Sequence, residues 1–149
     1  MNKIKIKFAK KSDSEELAKL SQLFFEEGSC NGIVADNKEH FENKNIIIAL
    51  LNNKIIGYCY GEINIETKKR AFSNKDDKFY SLEEIFVIPE YRNLNIGQKL
   101  FEFAENYAKE KGCKTIQLNA VSKDYQKLLS FYIEKLNMNF WSAYLFKKI

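Results

Sequence analysis

The sequence predicts an α/β protein with a mixed β-sheet, and two stretches of the chain support this fold class. Apolar runs at Asn45–Leu51 and Lys54–Ile65 flank the turn-forming pair Asn52-Asn53, a pattern typical of an antiparallel hairpin. Further along, a strand pattern that ends at Ile88 precedes a helical pattern and another strand at Thr115–Val121. A strand–helix–strand unit of this length makes a parallel pair with a right-handed crossover. We therefore expect antiparallel strands first and a parallel pair formed by the fourth and fifth strands.

The composition indicates one folded domain over residues 1–149. Hydrophobic residues make up 45% of the chain and aromatic residues 14%, with no linker-like, repetitive or low-complexity tract. These fractions suit a chain that buries a single core. The net charge of +4 does not by itself favour nucleic acid as a partner, and a basic surface would equally suit a ligand with several phosphates.

The cysteines indicate reduced thiols rather than a metal centre. Cys30, Cys59 and Cys113 are far apart and odd in number, without a Cys-x-x-Cys or Cys/His cluster, so we expect no metal site and no disulfide framework. The sequence lacks the apolar stretch of a signal peptide and any span of about 20 apolar residues. We therefore expect a soluble cytoplasmic protein that does not bind membranes.

The first elements are a strand and a helix. Apolar residues alternate with lysines over Ile4–Phe8, as in a half-buried antiparallel or edge strand. Ser12 and Glu15 have the spacing of a capping box, which predicts a helix from about Asp13 to Glu27 that ends at Gly28.

The middle of the chain alternates loops with the hairpin. Ser29–Asn43 has weak periodicity and is expected to combine a loop with a short helix. Gly57 and Gly61 lie in the second hairpin strand and indicate a bulge or a close backbone approach. Glu66–Lys78 is too charged to bury and predicts a long exposed loop.

The stretch that follows reads as strand, loop and helix. Residues Ile85–Ile88 suit a buried strand, and Pro89 ends it because proline has no backbone N–H to donate. From Gly97 onward apolar residues recur at helical spacing until Gly112. The loop Arg92–Asn95 therefore lies at a helix N-terminus, where unpaired N–H groups and the helix dipole favour a phosphate. A solvated loop arginine explains Arg92 equally well.

The last part of the chain predicts a helix and a strand. Lys123–Leu136 carries one apolar helical stripe, and Asn139–Lys147 shows the aromatic-rich alternation of a final strand.

Two motifs resemble those of the GCN5-related N-acetyltransferase superfamily. Val87-x-Pro89-x-Tyr91-Arg92-x-x-Asn95-x-Gly97 resembles the family's acetyl-CoA loop, with Asn95 where a glycine is usual. The segment from Ser130 to Met138 is similar to the family's Phe-Tyr-x-x-x-Gly-Phe segment, with Asn137 in place of the glycine. The predicted element order also matches the family fold, a mixed sheet with helices on both faces.

The resemblance implies an acetyl-CoA site. In the family, amides of the loop bind the pyrophosphate and the preceding strand pairs with pantetheine. The residues that match are Ile85, Phe86, Val87, Arg92, Asn93, Leu94, Asn95, Ile96, Gly97 and Gln98.

The resemblance also implies catalytic groups. The run Leu82–Val87 is similar to that of spermidine/spermine-type members, in which the first carboxylate faces the acceptor amine, so Glu83 is the expected general base. Tyr132 matches the tyrosine that protonates the departing thiolate. Without the resemblance, a solvated carboxylate and a core tyrosine explain these residues, and His40 is expected on the surface.

The expected reaction is transfer of an acetyl group from acetyl-CoA to the primary amine of a polyamine or aminoglycoside. A solvated acidic face would explain the carboxylates after the first helix as well as a cationic acceptor does. Acetylation of peptide N-termini and a non-catalytic CoA-binding regulatory module are the alternatives. A homodimer is possible, and neither nucleic acid nor membrane is an expected partner. The residues expected to contact the acceptor are Glu27, Asp36, Glu84 and Asn119.

Overall fold

The computed structural model describes residues 3–149 and arranges five strands in one sheet. Met1 and Asn2, the first residues of the predicted domain, lie outside the described residues. The strands follow chain order across the sheet, with β1 to β4 antiparallel and β4 parallel to β5. This confirms the mixed sheet and its parallel fourth and fifth strands. The strands are β1 (Lys5–Phe8), β2 (Ile46–Leu51), β3 (Lys54–Ile65), β4 (Lys78–Val87) and β5 (Thr115–Gln117).

The helices cover both faces of the sheet, as expected. They are α1 (Ser14–Glu27), α2 (Lys38–Glu42), α3 (Ile96–Glu110) and α4 (Tyr125–Leu129), and α4 continues into a π-helical turn (Ser130–Lys135). Helix α3 buries its apolar stripe on one face, in a cluster with Ile47, Ala49, Ile56, Cys59, Tyr80, Leu82 and Tyr132. Helices α1 and α2 cover the other, in a cluster with Ile46, Ile48, Ile55, Tyr58, Tyr60, Phe86 and Ile88.

Helix α1 ends as the sequence predicts but begins differently. Gly28 adopts a left-handed conformation (φ 63°) directly after the helix, which suits a residue without a Cβ. The predicted capping box does not form, because a 3₁₀ turn over Lys11–Asp13 precedes the helix. The Lys10 amide donates instead to Asp13 Oδ2 at 2.7 Å.

The β2–β3 hairpin turns at the predicted residues. Asn52 and Asn53 both have positive φ, 51° and 65°, as a two-residue type I′ turn requires. Asparagine tolerates this conformation better than most residues other than glycine, so local chemistry is enough to fix the hairpin.

Strand β4 has one extra residue within the segment that pairs with β3. The ladder pairs Gly61 with Leu82 and Tyr60 with Glu84, so Glu83 has no opposite residue. A β-bulge of this kind bends the strand and shifts its alternation by one position. Leu82 accordingly packs on the α3 side while Phe86 packs on the α1 side, although even spacing alone would place both on one face.

Gly61 lies where the two strands approach closely. A Cβ at this position would lie 2.2 Å from Ser81 O, a distance that no side chain can occupy. The expectation that glycines in β3 indicate a bulge or a close approach is therefore confirmed.

The loop between β3 and β4 is more ordered than its charge suggests. Glu66 is only 2% exposed, although the sequence predicted a long exposed loop over Glu66–Lys78. Its carboxylate accepts hydrogen bonds from Ser73 Oγ at 2.9 Å, Gln117 Nε2 at 2.8 Å and Arg70 Nε at 3.1 Å. These three donors satisfy the buried charge and join the loop to β5.

The end of the chain departs most from prediction. Strand β5 stops at Gln117 instead of continuing to Val121. The predicted final strand over Asn139–Lys147 is wrong as a feature of this chain alone, since no strand is assigned after Gln117 within residues 3–149. Strand patterns become strands only where a neighbouring edge accepts their hydrogen bonds.

Among the described residues, 3–149, no helix has the length and apolarity needed to cross a membrane.

Candidate active site

A cleft opens where β4 and β5 separate. The two strands pair only between Phe79–Ser81 and Thr115–Gln117. Beyond that point a cavity of about 450 Å³ lies between β4 and the segment Leu118–Ser122. Its size is that of a small-molecule site.

The loop after α1 crosses over this cleft. Cys30 forms an isolated antiparallel bridge with Ser122. The Asn31 amide donates to Val121 O at 3.0 Å, and the Lys123 amide donates to Ser29 O at 2.8 Å. The α1 side of the molecule is thereby tied to the segment after β5, and the cleft has a wall on each side.

The inner edge of β4 faces the gap with backbone groups that β3 does not use, and of these Val87 O accepts a hydrogen bond from Arg92 Nε. Alternate residues of an antiparallel strand direct their N–H and C=O groups to the same neighbour. The Ile88 amide bonds to Ile56 O of β3 at 3.0 Å, so the groups of Ile85 and Val87 point away from β3. Since β5 has ended by this level, an extended ligand can pair with this edge as an added strand does.

The structure brings most of the predicted acceptor and catalytic residues together. Those that line the cleft are Asp36, Glu83, Glu84, Asn119 and Tyr132, and Ile85, which was predicted to bind acetyl-CoA, lines it as well. Glu27 is not among the lining residues. Three carboxylates therefore share one small cavity, which creates a negative potential that favours a cationic ligand.

Glu84 is the carboxylate with the environment of a base. It is half-buried and accepts a hydrogen bond from the Tyr58 hydroxyl. Burial raises the pKa of Glu84 to about 7, and the charges of Asp36 and Glu83 act in the same direction, while the Tyr58 hydrogen bond opposes them. A carboxylate with this pKa can accept a proton near neutral pH.

Glu83 lies in a more polar setting. Its side chain is 35% exposed, and Lys44 Nζ lies 3.2 Å from Glu83 Oε2. The same ammonium lies 2.8 Å from Glu62 Oε1. Because of the bulge, both adjacent glutamates reach the cleft, whereas regular alternation would allow only one to do so. The predicted role of Glu83 as base remains a prediction.

His40 lines the cleft and is not the isolated surface histidine that the sequence predicted. Its Nε2 lies 3.1 Å from Tyr60 Oη and 3.4 Å from Asp36 Oδ2. The backbone of Asp36 is held in place in turn, because its amide donates a hydrogen bond to Ser21 Oγ at 2.9 Å. Sequence reasoning missed Tyr58 and Tyr60 as site residues. The available signal was their spacing of two along β3, which places both side chains on the same face of the sheet.

Tyr132 occupies the π-helical turn after α4, a geometry often found at functional sites. The ring packs on Phe101 and Phe131, and the residue is 6% exposed. It also lines the cleft, so it is both a core tyrosine and a site residue. Burial raises the pKa of Tyr132 above its ordinary value, which keeps the phenol protonated and able to donate.

Two asparagines in the loop before α3 adopt a left-handed backbone conformation. Asn93 and Asn95 have positive φ, 69° and 57°, and α3 begins at Ile96. Asn137, the second asparagine in place of a glycine, also has positive φ, 55°. Each asparagine adopts a left-handed conformation, which glycine adopts without steric cost and asparagine tolerates better than most other residues.

The N–H groups at the start of α3 fit a phosphate. The first four amides of a helix have no partner within it, and the dipole adds positive charge at that end. The first turn of α3 also packs closely on Phe131, because a Cβ on Gly97 would lie 3.3 Å from the Phe131 ring. The residues present therefore fit the pyrophosphate of acetyl-CoA.

Arg92 is held by other residues at the base of this loop. Its Nε donates to Val87 O at 2.9 Å, and its Nη2 donates to Glu27 Oε2 at 3.0 Å. The Arg92 hydrogen bond lowers the pKa of Glu27, which keeps that carboxylate ionised. Glu27 thus contacts the predicted phosphate loop and not the predicted acceptor site.

Within residues 3–149, no three His, Cys, Asp or Glu side chains cluster in a way that could hold a metal ion.

The split parallel pair and the loop at the N-terminus of α3 define a CoA-dependent acyltransferase. The model of the Acetyltransferase (GNAT) family matches residues 14–138, and the chain belongs to that family. It is an acetyl-CoA-dependent N-acetyltransferase. No curated protein matches the sequence.

Solved structures share the fold at low identity. The aminoglycoside N-acetyltransferase AAC(6′)-Iy in complex with CoA is 16% identical, with a TM-score of 0.75 over 100% of this chain and 96% of its own. An aminoglycoside acetyltransferase, meta-AAC0020, from an uncultured soil metagenomic sample in complex with sisomicin, is 20% identical, with a TM-score of 0.70 over 98% and 96%. A ribosomal-protein-alanine N-acetyltransferase from Brucella melitensis is 14% identical, with a TM-score of 0.68 over 98% and 100%.

Proposed function

We propose that this enzyme acetylates a primary amine of a small cationic acceptor, of the polyamine or aminoglycoside type. The observation that carries the proposal is the grouping of Asp36, Glu83 and Glu84 in one cleft of about 450 Å³. Such a cleft attracts and orients an ammonium group. The aminoglycoside acetyltransferases with the same fold support this class of acceptor.

Acetyl-CoA would lie along the opening between β4 and β5. The amides of Asn93 to Gln98 would hold the pyrophosphate at the start of α3. The backbone N–H and C=O of Ile85 and the N–H of Val87 would pair with the amide groups of pantetheine. Arg92 would act by fixing the path of the loop through Val87 O and Glu27.

The reaction joins the acceptor nitrogen to the acetyl carbon and breaks the carbon–sulfur bond. The nitrogen must lose a proton, and the departing thiolate must gain one. We assign the first proton to Glu84, because burial raises its pKa to about 7. Glu83, which is paired with Lys44, then serves to attract the acceptor.

Tyr132 would supply the proton to the thiolate. Tyr132 lines the cleft, and burial raises the pKa of its hydroxyl, so the hydroxyl keeps a proton to donate. Protonation of the leaving group is needed mainly in the transition state, so this interaction would raise kcat more than affinity.

The alternative acceptor is a peptide N-terminus, which the shared fold of the ribosomal-protein-alanine N-acetyltransferase supports. The crossing of the loop after α1 over the cleft favours a small acceptor, because an extended peptide needs an open groove. The argument for a non-catalytic module was the presence of Asn95 and Asn137 where the family has glycines. Both asparagines adopt a left-handed backbone, as a glycine can, so this argument is weak.

The test is release of CoA thiol from acetyl-CoA in the presence of polyamines, aminoglycosides or peptides with free N-termini. We expect turnover with cationic small amines and a higher KM for them in an Asp36→Asn variant. A Lys19→Glu variant, changed on the exposed face of α1, should keep the wild-type KM. Turnover of peptides alone would contradict the proposed acceptor, and acetyl-CoA binding without any turnover would identify a regulatory module.

A further inference from the structure

We propose that Ser21 and Tyr58 are positioning residues, whose buried hydroxyl groups form a chain that holds the Glu84 carboxylate in a fixed relation to Asp36. The inference rests on the proposed function, in which Glu84 takes the proton of the acceptor amine. The chain joins α1, β3 and β4 to the loop between α1 and α2.

The first link of the chain is the bond between Tyr58 and Glu84. Tyr58 is 0% exposed, and its hydroxyl donates to Glu84 Oε1. Within residues 3–149, no other side chain donates a hydrogen bond to this carboxylate. The direction in which Glu84 points therefore depends on a single hydroxyl group.

The second link is Ser21, a serine of α1 that is 1% exposed. Its Oγ accepts a hydrogen bond from the Asp36 amide at 2.9 Å. A hydroxyl group can donate and accept at the same time. Its hydrogen bond with Tyr58 lowers the pKa of that tyrosine, which is the effect of a donor on the phenol oxygen. Ser21 thus accepts from Asp36 and donates to Tyr58.

The hydrogen bonds of the chain all run in one direction, from the Asp36 amide through Ser21 and Tyr58 to Glu84. Each donor is polarised by the bond that its oxygen accepts, so the chain is stronger than its separate bonds. Asp36 and Glu84 line the same cleft. The chain therefore fixes the base relative to a carboxylate that would hold the acceptor, and a misplacement of about 1 Å between reacting groups can cost on the order of 10²-fold in rate.

The ring of Tyr58 has a separate role in packing. It contacts the rings of Phe41, Tyr60 and Phe86, with centroids 5.6, 6.4 and 6.0 Å away. Phenylalanine would keep these contacts and lose only the oxygen. The Tyr58→Phe variant therefore keeps its core and tests the hydroxyl alone.

The groups that face Glu84 determine how its titration should respond. The charges of Asp36 and Glu83 raise the pKa of Glu84, and His40 contacts Asp36 and Tyr60. The groups that burial keeps protonated near neutral pH, by raising their pKa, are Tyr58, Tyr60, Tyr132 and Cys30. Tyr58→Phe changes only one of these groups, and the hydrogen bond it removes favours the ionised carboxylate. Its loss should raise the pKa of Glu84.

The first experiment compares the pH profiles of kcat/KM for the wild type and Tyr58→Phe. We expect the rising limb to move to higher pH by about one unit. The plateau value of kcat should fall about tenfold, because the carboxylate loses its orientation, while the KM for the acceptor stays unchanged. Tyr80→Phe is the matched control, since Tyr80 is a buried tyrosine of the neighbouring strand that packs on the α3 side. Its profile should match that of the wild type.

The second experiment uses Ser21→Ala. The KM for the acceptor should rise several-fold, because Asp36 loses its backbone partner, and the limb should move in the same direction as in Tyr58→Phe by a smaller amount. A Ser21→Ala/Tyr58→Phe variant should have the limb of Tyr58→Phe alone, because Ser21 acts on Glu84 only through Tyr58. Ser14→Ala is the matched control, since Ser14 is also buried in α1 and donates to Lys11 O at 2.8 Å.

A titration of the Glu84 carboxyl carbon by NMR, in protein labelled with ¹³C-glutamate, separates this inference from the proposed function. The Glu84 signal is assigned by its loss in Glu84→Gln. We expect the carboxyl to titrate at higher pH in Tyr58→Phe than in the wild type. A carboxyl whose titration does not move, or a double variant whose shift is the sum of the single shifts, would overturn the chain. A carboxyl that shifts while the kcat/KM limb stays in place would support the chain and reject Glu84 as the base.

Discussion

The hydroxyl of Tyr58 donates a hydrogen bond to the carboxylate of Glu84 from the neighbouring strand. Burial and the charge of Glu84 raise the pKa of Tyr58, so this tyrosine is protonated and can donate near neutral pH. The bond fixes the Glu84 side chain in the cleft while burial keeps it easy to protonate. The two adjacent glutamates therefore differ in their partners: Glu84 accepts from the Tyr58 hydroxyl, whereas Glu83 pairs with Lys44.

Substitution of each glutamate by glutamine should separate their roles. Glu84→Gln keeps the shape and removes the base, so kcat should fall by a factor on the order of 10²–10⁴. Glu83→Gln is the matched control, and it should act mainly on the KM of the acceptor. Steady-state kinetics measures both. The opposite order would assign the base to Glu83.

The pH dependence of kcat/KM should report Glu84. The ionised form that can accept a proton accumulates as pH rises through about 7, so kcat/KM should rise with pH and level off above that value. The Glu84→Gln variant should lack this limb. A profile that is unchanged in the variant would mean that another group titrates there.

Tyr132→Phe tests the proton donor with the loss of a single oxygen. If the phenol protonates the thiolate, kcat should fall at least tenfold while acetyl-CoA affinity stays nearly unchanged. An acyl donor with a more acidic thiol should recover part of the rate, because its thiolate needs less help. A variant with full kcat and a stability change of about 1 kcal/mol would leave Tyr132 a core residue only.

Acetyl-CoA should stabilise the fold by roughly 2–4 kcal/mol at a ligand concentration several hundred times its Kd. Arg92→Glu should weaken this shift, because the new carboxylate would face Glu27 and the phosphate site together. Thermal melts with and without ligand measure the shift. Lys19→Glu, the same charge reversal on an exposed residue of α1, should leave it unchanged.

Asn95 should tolerate glycine better than alanine. Its φ of 57° costs an alanine about 1–2 kcal/mol, so Asn95→Ala should lower the free energy of unfolding by roughly that amount. Asn95→Gly should leave it close to that of the wild type. Denaturant titration gives the values, and equal effects of the two substitutions would show that the left-handed conformation carries no strain.

Local chemistry explains which features could be predicted. The Asn52-Asn53 turn, the end of α1 at Gly28 and the loop before α3 depend on residues only a few positions apart, and all three form as predicted. Their conformations follow from steric rules that act within a single turn.

The features that the sequence did not disclose depend on distant partners. The glycines of β3 indicated a bulge, but the identity of the unpaired residue, Glu83, depends on the register between β3 and β4. The position of His40 depends on Tyr60, twenty residues along the chain. Glu27 pairs with Arg92 across 65 residues, so its apparent place in an acidic acceptor site was misleading. The hydrophobic periodicity of a single segment cannot predict contacts between residues so far apart in the chain.

The bulge at Glu83 also determines how β4 would respond to the loss of one residue. With Glu83 removed, Gly61 would still oppose Leu82 and Tyr60 would still oppose Glu84, and Leu82 and Phe86 would keep their opposite faces. The sheet therefore has no need of this residue. Deletion of Glu83 would therefore remove one of two adjacent carboxylates from the cleft and leave the pairing of β3 with β4 in register.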